Sequence, residues 1–267
     1  MHVRLWGGLG NQLLQWAFGR SLSLSRDESV TYDHLLIDED PKRSYSLGAY
    51  DISVPLAAPS GPIFKESTTL FDPAASAAPR GTLYSGNWFT EKYFNADVIR
   101  RELAAPRGIP NDATLILADQ INDAKNSAFI GVRRGDFVYA EQQRNFHGSM
   151  PLSYFSDGIR LIQEYSPDVK FFVFSDDLAW CRENFVDGSV VIVDANRPGD
   201  GNAPGTEHWD IWLMKLCRHA LIANSSFHWW GAWLNPKQDD RVVVAPKQWY
   251  RAPIDTSDMV PERWTCI

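Results

Sequence analysis

Nowhere in the 267 residues does an apolar run approach the roughly 18 residues that a membrane-spanning helix needs, so no span is predicted and only peripheral membrane contact is left open. Cysteine is scarce. Cys181, Cys217 and Cys266 lack metal-ligand spacing and cannot all pair within one chain, which fits a reduced, cytoplasmic setting. Residues 1–10 run directly into a strand-like stretch, without the apolar core of a signal peptide. A basic excess is missing too: 26 Lys+Arg against 33 Asp+Glu leave a net charge of −7. That balance argues against non-specific attachment to nucleic acid but permits a local basic pocket for a small anion. Internal repeats and low-complexity tracts are absent. What is present is an ordinary globular profile, 44% hydrophobic and 22% charged, in a chain long enough for one large core or two small domains. Eleven tryptophans are many for this length. Some suit stacking on sugar rings, but core and interface packing accounts for most.

The order of elements predicts an α/β protein. Residues 2–6 alternate into a strand, Gly7 to Gln12 form a glycine-rich turn, and Leu13, Leu14, Ala17, Phe18 and Leu22 recur at helical spacing. Residues 57–80, rich in Pro, Ala and Ser, read as a long surface connection. The run AAPRGIPN at 104–111 is a candidate hinge. Beyond it, helices are predicted at 113–124, 151–165, 207–219 and 227–234. Strands are predicted at 128–132, 169–174, 189–193, 220–223 and, as the last, 241–245. Strands alternating with helices imply a parallel sheet covered on both faces.

In such sheets ligands bind outside the carboxyl ends of the strands, and the polar residues gather there. Arg133 and Arg134 follow one strand, Asp176 another and Asn224, Ser225 and Ser226 a third, while the glycine turn closes the first. The glycine turn could bring backbone N–H groups to a diphosphate or could be only a tight turn. Adjacent arginines can fork onto phosphate oxygens, with Asp136 orienting one of them; the alternative is a pair of structural ion pairs. Asn224 to Ser226 opens a helix, as a phosphate site or as an ordinary N-cap. Asp210 could accept from guanine N–H groups or could lie on an exposed helix face. The acidic triplet Asp38-Glu39-Asp40 matches a cation-binding pattern, but Pro41-Lys42-Arg43 directly after it suggests a solvated loop, so no metal site is expected.

Four runs carry a resemblance: GGLGNQLLQWAFGRSLS at 7–23, VRRGDF at 132–137, FFVFSDD at 171–177 and LIANSSFHWWGAWL at 221–234. Weaker matches are SGNWFTEKYF at 85–94, PLSYF at 151–155, DIWLMKLCRHA at 210–220 and APKQW at 245–249. In this order they resemble glycosyltransferase family eleven, the α-1,2-fucosyltransferases. The resemblance implies a GT-B fold, two Rossmann-like lobes with a donor cleft between them. Residues 1–112 would form the acceptor-side lobe carrying the glycine loop, and 113–267 the nucleotide-sugar lobe. It further implies inverting, metal-independent transfer of L-fucose from GDP-fucose to a sugar hydroxyl, the 2-OH of a galactoside-type acceptor being the family's habit. Carried over by position, Arg133 or Arg134 would bind the diphosphate and stabilise departing GDP. Gly8, Gly10 and Asn11 would face diphosphate and fucose. Asp176, Asp210, Asn224, Ser225, Ser226 and Phe227 would serve the nucleotide, and Trp88 and Glu91 read as structural.

The resemblance breaks at Gly131, where the family carries a histidine used on the nucleotide; Phe137 replaces a tyrosine, and His147-Gly148 matches. Donor recognition is therefore expected to be shared differently, or another nucleotide sugar is used. Asp136, Glu141 and His147 are the candidate bases, each also readable as a loop residue, and a late transition state needs little base. The rival classes are a non-catalytic carbohydrate-binding protein and a nicotinamide-dependent oxidoreductase. The latter lacks the third glycine of its fingerprint.

Overall fold

A computed structural model describes residues 1–196 and 205–267. They form two compact units. The first holds Met1–Arg107 and Asp255–Pro261; the second holds residues 108–196, Thr206–Ile254 and Glu262–Ile267. The chain thus passes between units at Arg107 and Gly108, inside the Pro- and Gly-containing run at 104–111. The short segment Asp255–Pro261 belongs to the first unit although its neighbours in sequence belong to the second.

The first unit runs β1 (His2–Arg4), α1 (Leu9–Arg26), β2 (Thr31–Asp33), α2 (Leu35–Asp38), β3 (Ile63–Lys65), α3 (Ala74–Ala77), β4 (Leu83–Ser85) and α4 (Ala96–Glu102). Its sheet has the order β2-β1-β4-β3, parallel throughout. Helix α1 starts as soon as β1 has ended and turned through Gly7, whose φ of +76° suits glycine. It buries nearly its whole first half, and Phe18 stacks flat on Trp88 at 4.0 Å. The stretch at 57–80 is not only a connection: β3 lies in it and pairs with β4, Ile63 opposite Leu83. Three residues among prolines and glycines give too little alternation to show a strand.

The second unit runs α5 (Asp112–Asp123), β5 (Ser127–Val132), α6 (Gly135–Tyr139), α7 (Glu141–Phe146), α8 (Leu152–Tyr165), β6 (Lys170–Ser175), α9 (Leu178–Asn184), β7 (Val190–Ile192), α10 (His208–Leu216), β8 (His219–Leu221), α11 (Ser226–Trp233), β9 (Val243–Ala245) and β10 (Thr265–Cys266). The sheet order is β10-β9-β8-β5-β6-β7, again all parallel. The helix predicted over 207–219 stops at Leu216, and His219 instead begins β8. The last strand is β10 rather than the one ending at Ala245. Strand β5 is central and buried at all six positions, as expected for a strand covered on both faces. Its core neighbours include Phe155, Ile162, Phe171, Val173 and Leu221. Trp229, Trp230 and Trp233 of α11 are fully buried, so these indoles are core.

Candidate functional site

Register sets the site in the second unit. Val132 of β5 lies opposite Ser175 of β6, so the two strands end level, and Arg133 meets Asp176 at once. Arg133 is held from both sides: one terminal nitrogen lies 2.7 Å from Asp176 Oδ2, the other 2.5 Å from Asp136 Oδ1. Its guanidinium also lies over the Phe137 ring, 5.1 Å from the centroid. Arg134 donates from Nε to Asp177 at 3.0 Å and lies over Trp180 at 4.3 Å, while its backbone N–H donates to Asp176 Oδ1 at 2.8 Å. Each guanidinium carries five N–H donors, most of which these pairs leave uncommitted. The side chains of Arg133 and Arg134 remain 26% and 17% exposed, open enough to meet a ligand. Two fixed cations at a strand end are suited to a leaving phosphate.

The sequence around them is built for that clamp. A Cβ at Gly135 would stand 2.5 Å from Asp176 Oδ2, so only glycine lets the carboxylate approach. Asp177 caps α9 by accepting from Trp180 N–H at 3.1 Å. Burial works to raise the Asp177 pKa, but the Trp180 N–H and the Arg134 pair outweigh it, and the group is held below its ordinary value. His147 stacks flat on Phe137 at 4.4 Å, with Phe146 and Tyr250 around it. Its Nδ1 is buried without a hydrogen-bond partner. Burial lowers its pKa; the Asp136 charge works against this and the Arg133 charge with it. Asp136 and His147 therefore stand at the arginine cluster. Glu141 opens α7, is exposed, and takes no part in the cluster's hydrogen bonds or ion pairs.

The third strand end differs from its sequence reading in detail. Ser225, not Asn224, is the N-cap of α11, and its side chain makes no capping bond. The Asn224 amide donates to the carbonyls of His147, Gly148 and Trp249, and so straps two loops together. Ser226 and Phe227 form the first turn of α11 and are half-buried. Asp210 does not lie on an exposed face. It is partly buried and accepts from Asn196 Nδ2 at 2.8 Å, and Thr114 donates to Asn196 Oδ1 at 3.0 Å. Burial, with Glu207 adding and the Asn196 bond opposing, pushes the Asp210 carboxyl up to about 7.

Within the first unit, Gly8 is the N-cap of α1 and makes no side-chain bond; Gly10 is buried and Asn11 half-buried in the first turn. The loop is tied down by Gln12, which sequence reasoning passed over. Its amide donates to the carbonyls of Gly7 and Ser44 and accepts from Ser46 N–H, each at 2.9 Å. Arg43 also belongs here: its guanidinium would lie 3.5 Å from a Cβ at Gly8. In the acidic triplet, Asp38 pairs with His34 and Asp40 accepts from Lys42 N–H. Among the described residues no three His, Cys, Asp or Glu side chains form a cluster able to hold a metal, and no helix is long and apolar enough to cross a membrane.

Asp177 and Trp180 had a legible signal, an aspartate three residues before a helical N–H at a strand end. Gln12 had none, since its partners at Ser44 and Ser46 are fixed by tertiary contact.

Comparison with known proteins gives three kinds of likeness. The sequence model of glycosyl transferase family 11 matches residues 87–267. An alpha-1,2-colitosyltransferase of Escherichia coli is 31% identical, over 99% of this chain and 98% of that protein. The O-antigen biosynthesis glycosyltransferase WbnK of Escherichia coli is 27% identical over 99% of both. A galactoside alpha-(1,2)-fucosyltransferase 2 of Oryctolagus cuniculus is 27% identical over 65% of this chain and 55% of its own. Among solved structures, the NodZ alpha-1,6-fucosyltransferase soaked with GDP-fucose superposes with a TM-score of 0.55 at 16% identity, covering 88% of this chain and 92% of that one. The fold class is the expected one, an α/β protein of the GT-B type with two parallel sheets.

Proposed function

The chain belongs to glycosyl transferase family 11, and from that premise we propose that it moves L-fucose from GDP-fucose onto the 2-hydroxyl of a terminal galactoside, inverting the anomeric carbon without a metal. The observation that carries this reading is Arg133, fixed between Asp136 and Asp176 at the end of β5 with Arg134 beside it. In the reaction the acceptor oxygen bonds to the anomeric carbon as the bond from that carbon to the phosphate oxygen breaks. GDP departs with the bonding pair, and the hydroxyl proton passes to a base. Charge develops on the diphosphate, so pre-placed arginine donors supply most of the acceleration, in place of a cation. For the base, Asp136 is engaged with Arg133, whereas the neutral His147 has an accepting form available. Within the second unit, Asp210 and the first turn of α11 complete donor binding in this reading.

The 31% identity to a colitosyltransferase favours a second donor. Colitose is the 3-deoxy counterpart of fucose, so the two readings share nucleotide, linkage and mechanism and differ by one hydroxyl. Cys181, Cys217 and Cys266 are all unpaired, which supports a reducing, cytoplasmic compartment for either.

Calorimetric titration with GDP-fucose, GDP-colitose, GDP-mannose, UDP-galactose and NAD, with EDTA present, tests the proposal; turnover with a galactoside follows. Selective GDP-fucose binding and an α-1,2-linked product support it. Preference for GDP-colitose moves the reading to that donor, and binding only of UDP-galactose or NAD overturns it.

A further inference from the structure

Strand β5 ends in Gly131-Val132, directly before Arg133, and the carbonyl of Gly131 accepts from the N–H of Ala223 at 3.0 Å. The chain beyond β8 therefore runs alongside the end of β5, and α11 begins three residues after Ala223. This brings the His228 ring onto Gly131. A Cβ at 131 would lie 2.6 Å from His228 Nδ1, 2.8 Å from Cδ2 and closer still to Cγ. The ring and any side chain at 131 exclude one another.

The ring is not an ordinary core filler. His228 is only 4% exposed, and its Nδ1 has no hydrogen-bond partner. A buried polar atom left unpaired is destabilising, a cost that an apolar ring of the same shape avoids. Packing alone therefore does not call for an imidazole. Asn224 Oδ1, at the start of the same turn, is likewise buried and unpaired, and the Ser225 N-cap side chain makes no capping bond. Burial, followed by the Arg133 charge, pushes the His228 pKa down to about 3. The imidazole is thus neutral throughout the working pH range and offers one N–H and one lone pair.

We propose that His228 is a donor-binding residue, its imidazole occupying the side-chain space of residue 131 beside Arg133 and taking its missing hydrogen bond from the nucleoside diphosphate. This rests on the nucleotide-sugar reading above. The imidazole comes from α11 instead of β5, and Gly131 is the condition for it. A neutral ring suits the place. It can bond a ribose hydroxyl or a phosphate oxygen while leaving charge neutralisation to the arginines.

The test compares GDP binding by calorimetry in the parent, in His228→Phe, and in the double variant Gly131→His with His228→Ala. Phenylalanine keeps the ring volume and loses both nitrogens, so the Kd for GDP is expected to rise about tenfold with little change in Tm. The double variant returns an imidazole to the same space from the strand side and is expected to bind within about threefold of the parent. A His228→Phe protein that binds GDP as the parent does overturns the assignment. If His228→Phe does not fold, the double variant decides: affinity near the parent supports the assignment and loss of binding overturns it. A parent that ignores GDP but binds another nucleotide overturns the GDP reading alone, and the same comparison is then read with that nucleotide. A parent that binds no nucleotide overturns both.

Discussion

Replacing Gly135 with alanine sets two forces against each other. Gly135 is the first residue of α6, and by helix propensity alone alanine there stabilises by up to about 1 kcal/mol. Backbone strain does not oppose the change, because Gly135 is not among the positive-φ glycines. The opposing force is local: the new Cβ would stand 2.5 Å from Asp176 Oδ2 and 3.2 Å from its Cγ. Asp176 must then move, and it is the acceptor for Arg133 at 2.7 Å and for the Arg134 N–H at 2.8 Å. A hydrogen bond to a charged group contributes about 1.5–3 kcal/mol. Loss of that positioning corresponds to roughly a ten- to hundredfold fall in turnover, at tenfold per about 1.4 kcal/mol. The lost bonds outweigh the propensity gain, so Gly135→Ala is expected to melt slightly below the parent temperature while kcat falls by that factor. Steady-state kinetics beside a thermal melt reads both. If the effect runs through Asp176, adding Asp176→Ala to Gly135→Ala costs little more. Turnover within about twofold of the parent would refute the claim that Asp176 fixes the arginines for the reaction.

Further outcomes follow from the same geometry. The Asp210 carboxyl is raised from 3.8 to about 7, so the folded chain holds that proton more tightly than the unfolded one. Its contribution to stability is full below about pH 4 and lost as the pH rises toward 7. Asp210→Asn should accordingly raise Tm at pH 8 and leave it unchanged at pH 4, and equal shifts at both would refute this. If His147 is the base, its lowered pKa places the acid limb of the kcat–pH profile below the ordinary histidine value of 6.5. His147→Gln should abolish that limb, whereas the exposed Glu141→Ala should change kcat less than about threefold; a larger loss in Glu141→Ala would reverse the assignment. Gln12→Leu leaves the carbonyls of Gly7 and Ser44 and the Ser46 N–H without their partner. A loss of about 3 kcal/mol or more in chemical denaturation is expected, and a loss under about 1 kcal/mol would show the loop to be held by other contacts.

Much of the second unit could be read from the residues alone. Strands β5 and β6 are six residues long, carry apolar runs, are followed directly by charged residues, and alternate with helices of clear period. Hydrophobic patterning is a local property, and where it is strong it fixes an element without knowledge of the rest. The Arg133-Arg134 pair and Asp176 stood out for the same reason, as charges at the ends of buried strands. Strands β2, β3, β4 and β10 did not, because their two or three residues sit in no longer apolar run, unlike the equally short β7, β8 and β9, and form only when a partner strand accepts them.

Tertiary structure decided what each candidate touches. The level ending of β5 and β6 puts Asp176 on Arg133, and that register comes from strand pairing across more than forty positions of sequence. Asn224, legible as a cap, became a strap because three carbonyls from distant loops converge on its amide. Asp210, ambiguous between a ligand and a solvated face, is partly buried because Asn196 and the helix packing around it take it out of water. Gly131 reads in the sequence as a residue missing its side chain. Only the path of the chain from β8 into α11 shows that His228 occupies the space. Sequence pattern sets which segments bury and which residues end them, whereas the partners of a polar side chain depend on long-range packing that no local pattern encodes.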